Sequence, residues 1–95
     1  MYKIEFIPAV IEEDLKKLTK KLKNTFVTAI NERIAVRPYD FKHLSGKHYQ
    51  HFWRLRIGNY RIAYSIDENE KTITIMCIEV RGNVYDKLKS RVDNN

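Results

Sequence analysis

The chain has 95 residues, 43% apolar and 32% charged, with a net charge of +6, the numbers of a basic, soluble globular domain with a modest core, expected to span residues 1–95 as one unit. No run of about 18 apolar residues is present, which excludes a membrane-spanning helix, and the opening MYKIEFIPAV lacks the layout of a signal peptide. Cys77 is the only cysteine, which excludes an intramolecular disulfide and a thiolate metal cluster and favours the cytoplasm as the expected location.

Tyr2-Lys3-Ile4-Glu5-Phe6 alternates apolar and polar residues, the pattern of a strand with one buried face, and Pro8 stops it. Ile11, Leu15, Leu18 and Leu22 then recur at helical spacing, so they predict an amphipathic helix. Thr19 is placed to cap a second helix whose inner face is Leu22, Phe26, Ala29, Ile30 and Ile34. Arg37-Pro38 ends it, because the residue before proline is pushed out of the α region.

The remainder reads as a β-meander. Residues 51–57 and 60–66 are strands around a Gly58-Asn59 turn, followed by the polar turn Asp67-Glu68-Asn69-Glu70 and a β-branched strand from Thr72 to about Val80. Gly82-Asn83 breaks that strand. From Val84 a short C-terminal helix is expected, running into the polar tail Arg91-Val92-Asp93-Asn94-Asn95 and therefore weakly held. The order β-α-α-β-β-β-α implies a small α+β domain, its mostly antiparallel sheet covered on one side by a helical hairpin.

The charge is unevenly distributed. Residues 41–66 contain Lys42, Lys47, Arg54, Arg56 and Arg61 and no acid, so this stretch supplies +5 of the net +6. Around a two-residue turn, Ile57 faces Tyr60, and counting outward sets Arg56 against Arg61, Leu55 against Ile62, Arg54 against Ala63 and Trp53 against Tyr64. Trp53, Leu55, Ile57, Tyr60, Ile62 and Tyr64 then form one apolar face, and the three arginines share the other. Like charges directly across a strand pair cost a few tenths to about 1 kcal/mol, so stability alone does not select them. The arginines either fan apart into water or form an anion-binding face, and the planar guanidinium fork suits phosphate oxygens.

The segments KHLSG at 42–46, FWRLRIGNYRIAY at 52–64 and RGNVY at 81–85, in this order and spacing, resemble the RelE branch of the RelE/ParE toxin superfamily. The resemblance implies the same β-α-α-β-β-β core and a toxin that cuts messenger RNA, usually in the ribosomal A site. It also implies an acidic, partly disordered RelB-like antitoxin as partner, with no cofactor and no metal. RNA can be cut without metal when its 2′-OH attacks the adjacent phosphorus in line, leaving a 2′,3′-cyclic phosphate and a free 5′-OH. Carried over residue by residue, the resemblance makes Arg56 and Arg61 the phosphate clamp and has Arg54 bind a neighbouring phosphate; Lys42 and Lys47, in the same acid-free basic stretch, are expected as further RNA-binding residues. Arg81 would stabilise the leaving oxygen, and Tyr85 would stack on a base or act at the 2′-OH.

Relatives often carry lysines where Arg54 and Arg56 stand, and arginine cannot serve as a base. Many also have a histidine or basic residue just before Arg81, where this chain has Glu79 and Val80. The general base is therefore left unassigned, with His43, His48 and His51, in the loop before the hairpin, as candidates by residue type. Cys77 and Trp53 read as core residues, and Tyr49 and Phe52 as the aromatics free to touch RNA. A ParE-like inhibitor of DNA gyrase and a non-catalytic RNA- or ribosome-binding relative are the alternatives. The antitoxin would mask the arginine face or displace the C-terminal helix bearing Tyr85.

Overall fold

Strand β1, Lys3–Phe6, leans Ile4 and Phe6 onto the core and leaves Lys3 and Glu5 outside, as their alternation predicts. The computed structural model describes residues 1–80 and 83–93. After β1 the chain makes a wide helical turn at Val10–Asp14, in which Leu15 N–H donates to Val10 O, and a tight turn at Leu15–Lys17. The wide turn moves the inward positions off the expected stripe: Ile11 is 53% exposed, whereas Val10 and Asp14 are buried. Leu18 is extended, and Thr19 caps α1, Lys20–Ala29, by accepting Leu22 N–H at 3.2 Å. A cap of this kind is worth about 1 kcal/mol. Another wide turn, Ile30–Ile34, prolongs α1 and buries Ile30 and Ile34.

Within the expected loop before the hairpin, Lys42–His43 forms a two-residue edge strand, β2, against β3. The meander continues through β3 (Phe52–Ile57), β4 (Tyr60–Asp67) and β5 (Thr72–Val80). The five strands lie in the order β1-β5-β4-β3-β2. The pairs within the meander are antiparallel, and β1 joins β5 in parallel, so the sheet is mixed. The helical segments between β1 and β2 carry the chain from one edge of the sheet to the other.

Both faces of the sheet are partly covered. On one, Val10, Phe26, Ile30 and Ile34 pack with Leu55, Ile62, Tyr64, Ile73, Ile75 and Ile78. Trp53, Ile57 and Tyr60 close the margin of this core, and the Tyr64 hydroxyl donates to Pro38 O at 2.7 Å. On the other, Leu44, Phe52, Ala63, Met76 and Cys77 lie under Val84 and Leu88 of α2, Val84–Asp93. A bulge makes this second core: the register shifts between Ala63 and Tyr64, so Ala63 faces Cys77 while Tyr64 faces Ile75. Met76 and Cys77 consequently both turn toward α2.

The C-terminal helix is not weakly held. Val84 and Leu88 are buried, which is worth about 1.5–3 kcal/mol for each aliphatic side chain, and Arg91 is 8% exposed. Its guanidinium forks onto both oxygens of buried Asp14, at 2.6 and 2.7 Å, a residue the hydropathy pattern gave no reason to pair. Phe52 is likewise core rather than free, and Tyr49 is half-buried against Tyr85. Cys77 is buried, as expected, and burial pushes its thiol up to about 12, which leaves it protonated and inert.

Candidate functional site

Gly58 takes a φ of +57° while Asn59 does not enter the left-handed region, the pattern of a two-residue hairpin that suits the strand twist. No atom lies within 4 Å of where its Cβ would be, so backbone conformation rather than crowding selects glycine. The turn sets Ile57 opposite Tyr60 and, outward, Arg56 opposite Arg61, Leu55 opposite Ile62 and Arg54 opposite Ala63. This is the register counted from sequence. The edge strand extends it, since Lys42 stands opposite Arg54.

Lys42, Arg54, Arg56 and Arg61 therefore share the sheet face that also carries α2. The neighbouring part of that face, at Phe52, Ala63, Met76 and Cys77, lies beneath the helix. Arg56 is exposed, and Arg54 and Arg61 are half-buried. A patch of four cations bordered by a helix presents donors to an anion from one side only.

The row through Arg61 continues onto β5, where Glu79 stands opposite it. Glu79 is also 3.6 Å from Lys87 Nζ of α2, and its side chain is only 15% exposed. Residues 41–66 contain no acid, and the third strand of the meander supplies one. Across the sheet the row runs Arg56, Arg61, Glu79, so opposite charges on β4 and β5 offset the like-charge pair on β3 and β4.

Tyr85, in the first turn of α2, is 38% exposed. Its hydroxyl accepts Ser45 N–H at 3.3 Å and lies 3.3 Å from Ser45 Oγ. Its ring meets Tyr49 edge-on, with centroids 4.8 Å apart. Ser45 follows Lys42–His43 by two residues, so these contacts bring Tyr85 to the same edge of the sheet as the Lys42–Arg54 pair. Lys47 stands apart, exposed on the 44–51 segment with no register linking it to the arginines. Arg81 lies outside the described residues.

The histidines separate. His43 belongs to β2, opposite Trp53, with its ring edge-on to the indole at 4.8 Å and Nε2 against Gln50 O. That places it on the sheet face away from the arginines. His48 borders a shallow cleft with Tyr49, Leu88, Lys89 and Val92, and His51 is exposed just before β3.

The family model for the ParE toxin of the type II toxin–antitoxin system parDE matches residues 6–85. A Methanocaldococcus jannaschii protein named as a candidate toxin, RelE4, is 30% identical over 92 residues, which cover 94% of this chain and 96% of that one. The toxin–antitoxin complex RelBE2 of Mycobacterium tuberculosis contains a chain that superposes with a TM-score of 0.76 at 22% identity, covering 84% of this chain and 98% of that one. The archaeal RelE–RelB complex of Pyrococcus horikoshii gives a TM-score of 0.62 at 25% identity, with 85% and 96% of the two chains covered. With its mixed five-stranded sheet, helical layer and C-terminal helix, this chain belongs to the RelE/ParE superfamily as a RelE-like toxin of the type II toxin–antitoxin class.

Proposed function

We propose that this toxin is an endoribonuclease that cuts messenger RNA, with the ribosomal A site as its place of action, and so stops translation. The observation that carries the reading is the set Lys42, Arg54, Arg56 and Arg61 on one sheet face, beside the helix that brings Tyr85 to the same edge. In this reading Arg56 and Arg61 hold the non-bridging oxygens of the scissile phosphate, and Arg54 and Lys42 hold the flanking backbone. The substrate's own 2′-OH gives up its proton as its oxygen attacks phosphorus in line. The P–O5′ bond breaks, the 5′-oxygen takes up a proton to leave as a 5′-OH, and a 2′,3′-cyclic phosphate remains. Tyr85 acts at the 2′-OH or stacks on a base, and Arg81 steadies the departing oxygen. Lys47, further off on its loop, serves as a peripheral RNA contact.

A ribosome-directed toxin acts in the cytoplasm, and no helix among the described residues is long and apolar enough to cross a membrane. The RelE toxins of Mycobacterium tuberculosis and Pyrococcus horikoshii occur in complexes with RelB antitoxins, which supports a RelB-like antitoxin as the partner here. An acidic chain is drawn to the basic face, because complementary charge speeds encounter and selects the partner.

The matching family model carries the ParE name, which favours one second reading, a non-catalytic inhibitor of DNA gyrase. Inducing the protein, mapping messenger RNA 5′ ends and assaying gyrase supercoiling in parallel separates the two. New ends with unaffected supercoiling support the ribonuclease; inhibited supercoiling with intact messages overturns it.

A further inference from the structure

Pro8 follows shortly after β1 ends at Phe6, so β5 runs on beyond its parallel neighbour. The last backbone link on that side is Ile7 N–H to Ile75 O at 3.3 Å. Past it, side chains satisfy the strand: Asp14 Oδ2 accepts Ile78 N–H at 2.8 Å, and Arg91 Nη1 donates to Met76 O at 2.8 Å. The two side chains also bind each other, Nη1 to Oδ2 at 2.7 Å and Nη2 to Oδ1 at 2.6 Å. Asp14 is 2% and Arg91 8% exposed. One buried ion pair thus joins the helical layer, the bulged part of β5 and the last turn of α2.

We propose that Arg91 is a positioning residue: through Asp14 and Met76 it locks α2 onto the sheet and so sets the place of Tyr85, six residues earlier on the same helix. The sequence supplies few other anchors. Among the described residues of α2 only Val84 and Leu88 join Arg91 in being buried, while Tyr85, Asp86, Lys89, Ser90 and Val92 are exposed. A bidentate guanidinium fixes both distance and rotation, which two aliphatic side chains and the single 3.6 Å contact of Lys87 with Glu79 do not. With the far end of α2 held in this way, the Tyr85 hydroxyl meets Ser45 and its ring meets Tyr49. The catalytic consequence rests on the function proposed above.

The test uses the full chain with Arg91→Met and, because a stranded buried Asp14 can unfold a domain, Arg91→Lys, which keeps the charge but loses the fork. Three readouts are taken: amide exchange, the nuclear Overhauser contact between the Tyr49 and Tyr85 rings, and single-turnover RNA cleavage with RNA affinity. Exchange in residues 84–92 should quicken at least about tenfold while residues 60–66 change by less than about twofold, and the ring contact should fade. Cleavage should drop about ten- to a hundredfold with RNA affinity nearly unchanged, since the arginine face is untouched, and Arg91→Lys should fall between wild type and Arg91→Met. Unchanged exchange and ring contact in either folded variant would overturn the lock. A loosened helix with undiminished cleavage would overturn the positioning role. A wild-type chain that cuts no RNA would remove the proposed function, and exchange and the ring contact would still decide whether Arg91 places Tyr85.

Discussion

Glu79 stands directly across the β4–β5 pair from Arg61, and the same carboxylate lies 3.6 Å from Lys87 Nζ of α2. One acid therefore balances a β4 arginine and a helix lysine, and it limits how positive the binding face becomes. Glu79→Gln should expose the Arg56–Arg61 repulsion, lowering stability by about 0.2–1 kcal/mol, and should tighten RNA binding at low salt. Thermal unfolding and RNA titration at two salt concentrations check both. A stabilised variant, or one that binds RNA less well, would contradict the charge balance.

Arg56→Ala and Arg61→Ala should each weaken RNA binding and reduce the slope of log affinity against log salt by about 0.7–1, one phosphate contact apiece. Lys87 is a poor control despite lying outside residues 41–66, because it pairs with Glu79 in the arginine row. Lys3, exposed on the edge strand farthest from β2 and 3.8 Å from Glu5, is suitable. Equal losses from Lys3→Ala and the two arginine variants would mean unspecific basic attraction only.

Tyr85→Phe removes an exposed hydroxyl whose bonds to Ser45 are 3.3 Å long, so stability should change by less than about 0.5 kcal/mol. Cleavage should fall by about a hundredfold or more where the phenol manages a proton. The products should carry 5′-OH ends, and adding a chelator should not slow the reaction. A 5′-phosphate product, or dependence on added magnesium, would rule out attack by the 2′-OH.

In the turn between β4 and β5, Glu68 accepts hydrogen bonds from Tyr2 at 2.8 Å and Tyr39 at 2.7 Å and pairs with Lys71. Lys71, Tyr39 and Tyr2 together hold its carboxyl down to about 2, from an ordinary value of 4.5. A carboxylate depressed in the folded state contributes stability that is complete above its unfolded pKa and is lost as pH falls through the folded one. Wild type should therefore lose more stability than Glu68→Gln between about pH 4.5 and pH 2, read from paired thermal melts. Parallel pH profiles for the two proteins would show that Glu68 contributes nothing.

Much of the architecture follows from local pattern. Thr19 caps where the apolar stripe restarts, Gly58-Asn59 makes a two-residue turn, and period-two alternation sets every β3–β4 pair around it. The grouping of Arg54, Arg56 and Arg61 on one face was legible for that reason: a two-residue turn leaves a single register. Phe52 was misjudged because alternation tells which residues share a face but not what covers that face, and α2 covers this part of it.

What the chain determined by itself is thus what acts between near neighbours: caps, turns, strand alternation and the hairpin register. Only the tertiary structure decided the partners of Glu79, Asp14 and Arg91. Counted back from the Asp67–Thr72 pair without a bulge, Arg61 meets Ile78 and Glu79 falls on the opposite face. The extra residue at Met76 reverses that parity, sets Glu79 against Arg61 and turns Met76 and Cys77 together toward α2. Asp14 and Arg91, 77 residues apart, look like ordinary surface charges in sequence. They are buried together because β5 outruns β1 and leaves backbone groups for side chains to satisfy, and an unmet polar group in the interior costs more free energy than a well-formed ion pair beside it.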